Sequence, residues 1–167
     1  MPSGKTHDRI TLWLLPAIVI AAYLLTRSSD LTLLCAVGFF VSGLILGPDL
    51  DIHSLHYRRW GWLRFFWLPY QKLIPHRSWL SHGFLVGTSI RLLYLSVWLF
   101  LAAALLLAIA QLFIGFDWNW HSFAIERIKM ISDRWQLAIA LFIGLELGSM
   151  SHYLSDGLVT SRKKRRK

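Results

Sequence analysis

His152 and Asp156 stand four residues apart in S-H-Y-L-S-D-G, a spacing that puts both side chains on one face of a helix. Asp49 and Asp51 stand two apart in G-P-D-L-D-I-H-S, and in an extended turn they point the same way. H-R-S-W-L-S-H carries His76 and His82, and T-H-D near the start adds His7 and Asp8. Imidazole together with carboxylate suits zinc, manganese or iron, and calcium less well. Six or more such donors exceed one tetrahedral ion, so the set allows one or two divalent metals, with an Asp such as Asp51 bridging.

Singly, each residue has an ordinary use. Asp8 or Thr6 can cap a helix, His7 can be a surface histidine, His76 and His82 can lie at an interface, and Asp156 can be solvated. Asp49 and Asp51 are harder to place. Acids just beyond a helix C-terminus face the negative end of its dipole and repel one another, so Arg77 or a cation has to compensate. Together the residues favour a metal site, because they gather at one end of the elements that carry them.

Those elements are apolar. Of the 167 residues 55% are hydrophobic, and Ile10–Thr26, Leu31–Gly47 and Leu92–Phe116 hold no charge. Trp135–Leu154 holds one acid, Glu146. Such runs are long enough to cross the hydrocarbon of a bilayer. The sequence predicts an all-α integral membrane four-helix bundle, one membrane domain over 1–160. Its helices cover about 9–26, 31–47, 83–115 and 134–157, and a basic tail follows at 161–167. Ser29 or Asp30 caps the second helix and Ser132-Asp133 the fourth. Gly43-x-x-x-Gly47 and Gly144-x-x-x-Gly148 suit close approach of two helices. Within the spans Arg91 snorkels to the interface, while Glu146 supports a ligand from behind or pairs with Arg91. Cys35 is the single cysteine, which excludes an intrachain disulfide and any cysteine-based zinc motif.

The longest connection, 48–83, contains W-G-W-L-R-F-F-W-L-P-Y, a composition that favours the headgroup layer. The outer loop, 116–134, carries Trp118, Trp120 and a short amphipathic stretch around Phe123–Ile131. Net charge is +9, and six of the 18 basic residues form the closing R-K-K-R-R-K. Beside a membrane helix such a tail reads as an anchor to anionic lipid, with no nucleic acid as partner. Lys5, Arg9, Arg58, Arg59, Arg64, Lys72, Arg77 and the tail fall on one side of four spans, and Arg27, Arg127, Lys129 and Arg134 on the other. The positive-inside rule then sets both termini and the central loop in the cytoplasm.

P-D-L-D at 48–51, H-R-S-W-L-S-H at 76–82 and H-Y-L-S-D at 152–156, with His7, resemble the bacterial membrane-bound metal-dependent hydrolase family. T-H-D-R-I-T, G-P-D-L-D-I-H-S and G-S-M-S-H-Y-L-S-D look closer to a related family of uncharacterised bacterial metal-binding membrane proteins common in cyanobacteria. The resemblance covers essentially the whole chain and implies an inner or thylakoid membrane. It also implies metal ligation by His7, Asp49, Asp51, His76, His82, His152 and Asp156, with zinc the leading metal. One departure stands out: His76 and His82 are six apart, where the hydrolase motif spaces its histidines five apart. As an enzyme the protein would carry out metal-assisted hydrolysis, with Arg77 orienting an anionic group and a phosphoester or lipid-linked substrate. The alternative is a non-catalytic metal-stabilised membrane scaffold or adaptor.

Overall fold

The computed structural model describes residues 4–115 and 119–164, with side chains to residue 157. Trp118 and the last three residues of the tail lie outside the described residues. Among the described residues there are eight α-helices, two 3-10 turns and no strand.

Four helices are long and apolar enough to cross a membrane. They are α1 (Gly4–Thr26), α2 (Ser29–Leu44), α6 (Val86–Ile114) and α8 (Trp135–Lys164). α1 begins before the uncharged run because Gly4–Arg9 continue its helix. α2 is capped by Ser28, whose hydroxyl accepts from the Leu31 amide, rather than by Ser29 or Asp30. It ends at Leu44, ahead of the Gly47-Pro48 break. α6 starts at Val86 because the chain turns at Leu85 with φ 60°, and Trp79–His82 forms a separate short helix, α5. Between them lie α3 (Leu55–Arg59), a 3-10 turn over Gly61–Trp67 and α4 (Leu68–Leu73). α7 (Trp120–Asp133) is an exposed amphipathic helix that runs through Ser132-Asp133 up to α8.

α2 lies against α8 along most of its length and against α1 on its other side. Glycines permit the α2–α8 approach: the Cβ sites of Gly144 and Gly38 are filled by the partner helix's backbone, that of Gly144 by Cys35 and that of Gly38 by Leu141 and Leu145. Gly148 meets Phe39, Ser42 and Gly43. Gly43 also receives Thr11 of α1, whereas Gly47 faces the His56 ring rather than another long helix. α6 meets α8 only sparsely and is joined mainly to α5.

The aromatic connection divides in two. Trp62, Phe65 and Trp79 are exposed, while Trp67 and Tyr70 are buried with Leu50, Tyr57 and Ile74 in a small core. Tyr94 of α6 packs on that core and donates its hydroxyl proton to the Phe66 carbonyl. This core fixes the 3-10 turn Pro48–Asp51. Leu50 is wholly buried in it, and Gln71 Nε2 donates to the Leu50 and Ile52 carbonyls at 3.0 and 3.1 Å. With Leu50 turned into the core, Asp49 and Asp51 face α5 and α8.

Candidate metal centre

Six segments bring donors to one end of the long helices. α1 supplies His7, the 3-10 turn supplies Asp49 and Asp51, and α3, capped by Ser54, supplies His56. The Pro75–Ser78 turn, with Arg77 at φ 60°, supplies His76, and α5, capped by Ser78, supplies His82. α8 supplies His152 and Asp156. A bidentate pair between Arg59 and Asp8 ties α3 to α1, and Arg59 also donates to the Leu44 carbonyl at 2.7 Å. Asp8 therefore serves this ion pair.

The carboxylates and imidazoles face one another. Asp49 Oδ1 lies 3.6 Å from His82 Nε2, and Asp49 Oδ2 lies 3.2 Å from His152 Nε2. Asp51 Oδ1 is 2.9 Å from His76 Nδ1, and Asp51 Oδ2 is 3.7 Å from His82 Nδ1. Asp156 Oδ1 is 3.4 Å from His7 Nε2, and its Oδ2 is 3.9 Å from the Arg77 guanidinium. All seven residues expected from sequence thus meet in one array, and Arg77 stands at its edge with its side chain 49% exposed. Asp49 and Asp51 each stand between two imidazoles, Asp51 between His76 and His82, and Asp49 between His82 of α5 and His152 of α8. His53 and His121 are exposed and apart from the array.

Hydrogen bonds fix which nitrogen carries a proton in four of the rings, His7, His56, His76 and His82. Ser155 gives its proton to the His152 carbonyl, so its oxygen accepts from His7 Nδ1–H at 2.8 Å. The Ser81 hydroxyl faces the Pro75 and Ser78 carbonyls, so it accepts from His82 Nδ1–H at 2.8 Å. His76 Nδ1–H donates to Asp51, and His56 Nε2–H donates to the Gly43 carbonyl at 3.0 Å. These four rings are oriented from behind in the way that metal-binding histidines are, whereas neither nitrogen of His152 has a hydrogen-bond partner. Each of the four then turns a lone pair inward.

A lone pair opposite a carboxylate oxygen is repulsive unless something positive lies between. Asp49 Oδ1, Asp51 Oδ2, His56 Nδ1, His82 Nε2 and both His152 nitrogens are buried without a hydrogen-bond partner, a costly state for polar atoms. The spacings of 3.2–3.6 Å between nitrogen and oxygen exceed a charge-assisted hydrogen bond. They match the roughly 3.4 Å between neighbouring donors of a tetrahedral ion bound at 2.0–2.2 Å. The residues fit a divalent cation. Among the described residues three groups have donor atoms close enough together for one ion: His7, His152 and Asp156; Asp49, His56 and His152; and Asp49, His76 and His82.

His56 is the donor absent from the expected set. Burial, followed by the neighbouring His152 charge, pushes it down to about 4, so it is neutral at ordinary pH. Its signal in the sequence is the second histidine of H-S-L-H, just after a serine able to cap a helix.

Glu146 and Arg91 take other roles. Glu146 Oε1 accepts from the Leu85 amide at 3.0 Å, holding the start of α6. Arg91 is fully buried rather than snorkelling: it donates to the Ser81 carbonyl at 2.9 Å, Thr88 Oγ1 at 3.0 Å and Ser149 Oγ at 2.7 Å. Ser149 in turn bonds Ser42 at 2.9 Å. Arg91 therefore braces α5, α6, α8 and, through the serines, α2 behind the donor array.

A family model described as "Uncharacterized metal-binding protein (DUF2227)" matches residues 2–166. Over 60 residues the chain is 37% identical to an uncharacterized protein of Aquifex aeolicus (strain VF5), a stretch covering 35% of this chain and 42% of that protein. The chain thus spans less than half of that relative's length. No solved structure matches.

Proposed function

The chain belongs to the DUF2227 family of metal-binding proteins, and we propose that it is an integral membrane protein whose His/Asp centre holds two zinc ions for hydrolysis of a phosphoester in an amphiphilic substrate. The observation that carries this reading is Asp49. Its two oxygens face His82 of α5 and His152 of α8 at 3.6 and 3.2 Å, and it belongs to two donor groups at once. A carboxylate so shared is the usual bridge of a two-ion site.

Zinc is favoured over manganese by the weight of imidazole among the donors, a preference that iron shares. A divalent ion held there supplies a Lewis acid and lowers the pKa of a bound water. The chain supplies the rest. The half-exposed Arg77 presents its planar fork to an anionic oxygen, and His76, with its side chain 29% exposed, marks the side from which substrate arrives. The exposed Trp62, Phe65 and Trp79 suit the headgroup layer. They support a lipid phosphate or lipid-linked phosphate as the substrate, and membrane lipid as the surrounding partner. The basic residues clustered at the centre's end support a cytoplasmic position for the centre and both termini, in a bacterial inner or thylakoid membrane. Relation to the membrane-bound metal-dependent hydrolases is part of the same proposal.

The test is metal content by mass spectrometry on detergent-purified protein, wild type beside Asp49→Ala and His152→Ala, with hydrolysis of a lipid phosphate followed in parallel. Two equivalents of zinc in the wild type, reduced in both variants, together with hydrolysis that needs Arg77, is the expected result. A folded wild type that binds no divalent metal after reconstitution refutes the centre. Metal without hydrolysis leaves the second reading, a metal clamp, which the convergence of six chain segments on one donor array favours.

A further inference from the structure

The histidine rings sort into pairs by their mutual geometry. An imidazole binds a metal in its own plane, so two rings on one tetrahedral zinc, each at about 2.0–2.1 Å, have centroids about 5.2 Å apart and are not stacked face to face. His76 and His82 satisfy this at 5.3 Å and 84°. His56 and His152 satisfy it at 5.4 Å and 50°. His7 and His152 do not: they are stacked at 3.7 Å and 15°. An ion midway between parallel rings would lie about 2 Å out of both planes, where neither has a lone pair.

We infer that His56 is a ligand of the second ion, which it shares with His152 and Asp49, while His7 does not share an ion with His152. This inference rests on the two-ion reading above and changes the composition of one of its sites. His56 is held for the role. Its Nε2–H is bound to the Gly43 carbonyl, its Nδ1 is buried without a partner, and no side chain fits at Gly47 because the His56 ring fills that space. Asp49 then joins the His56/His152 ion to the His76/His82 ion, one carboxylate oxygen toward each pair. His7 is bound from behind by Ser155 and faces Asp156. It lies over the His152 ring and fixes that ring's plane.

The test is cobalt substitution of full-length protein carrying His56→Cys. A thiol at a ligand position gives a thiolate-to-cobalt charge-transfer band in the near ultraviolet. The wild type lacks one, because its single cysteine, Cys35, sits in α2 beside a separate apolar cleft toward the other membrane face. The band is expected in His56→Cys and not in His7→Cys. A folded His56→Cys protein that binds cobalt without the band overturns the inference. Zinc content of His56→Gln provides a second measurement, independent of how cysteine fits. It should fall from two equivalents to one, with His7→Gln retaining two. Two ions at wild-type affinity in His56→Gln, or equal losses in both variants, also overturns it. A wild type that takes up neither cobalt nor zinc defeats the metal reading itself, and is told apart because every variant is then silent.

Discussion

Replacing Gly144 by alanine should pull apart the two helices that carry most of the centre. A Cβ at residue 144 would stand 2.8 Å from the Cys35 carbonyl carbon and nearer still to its oxygen. Ordinary contact between carbons begins near 3.5 Å, and the atoms in the way are backbone, so α2 and α8 must separate locally by about 1 Å. Overpacking of this kind costs about 1–3 kcal/mol. In a chain of this length each kcal/mol moves the thermal midpoint about 2–4 °C, which gives a fall of roughly 2–12 °C in detergent. The same separation moves Asp49, just beyond α2, away from His152 on α8, so zinc affinity should drop about 10–100-fold, the usual effect of disturbing the support of a metal site. The assay is thermal unfolding with and without zinc, beside a zinc competition titration. Gly157→Ala is the control: its Cβ would meet nothing within 4 Å, and helix propensity favours alanine. A Gly144→Ala protein with the midpoint and zinc affinity of the wild type would refute the packing argument.

Arg91→Met should be more damaging than its conservative volume suggests, because it removes hydrogen bonds to Ser81, Thr88 and Ser149 and leaves buried polar atoms unpaired. A loss of about 3 kcal/mol or more in thermal or denaturant unfolding is expected. Burial pushes the Tyr70 hydroxyl up to about 12. The folded state therefore keeps a proton that the unfolded chain loses near pH 10, so this contribution is complete below pH 10 and declines between pH 10 and 12. It amounts to about 3 kcal/mol, and Tyr70→Phe should flatten that alkaline limb of the stability curve. Chelation or acidification should lower the thermal midpoint of zinc-loaded protein, since the imidazoles must be neutral to bind. Readdition of zinc at neutral pH should restore the midpoint.

The apolar runs and the His/Asp strings were legible because each depends on local sequence alone. A run without charge has few soluble alternatives, and H-x-x-x-D on a helix shares a face whatever surrounds it. What escaped depends on contacts between distant segments. Trp67 and Tyr70 have the composition of interfacial residues, yet Leu50, Ile74 and Tyr94 close over them. Arg91 near a span's end reads as a snorkelling residue until α5 and α8 supply its acceptors. Gly47 completes a helix-packing motif by spacing, but α2 has already ended and the residue makes room for His56. Ser28, rather than Ser29, caps α2 because the chain turns one residue earlier, a difference of the size that helix ends ordinarily show.

The contact of His7 with Ser155 and Asp156 joins the first helix to the last, and this sets an order on the protein's birth. The α1–α2 hairpin, with Asp49 and Asp51 just beyond it, is made while α8 does not yet exist. At about 5–20 residues per second, His152 follows Asp49 by about 5–20 s of translation. Through that interval the early acids and His7 have no partner from α8. The Asp49, His76 and His82 group is complete before α8 is made, so filling of the groups that include His152 reports that α8 is in place, and a chain stalled earlier presents a half-built donor set that surveillance proteases can distinguish from the finished protein.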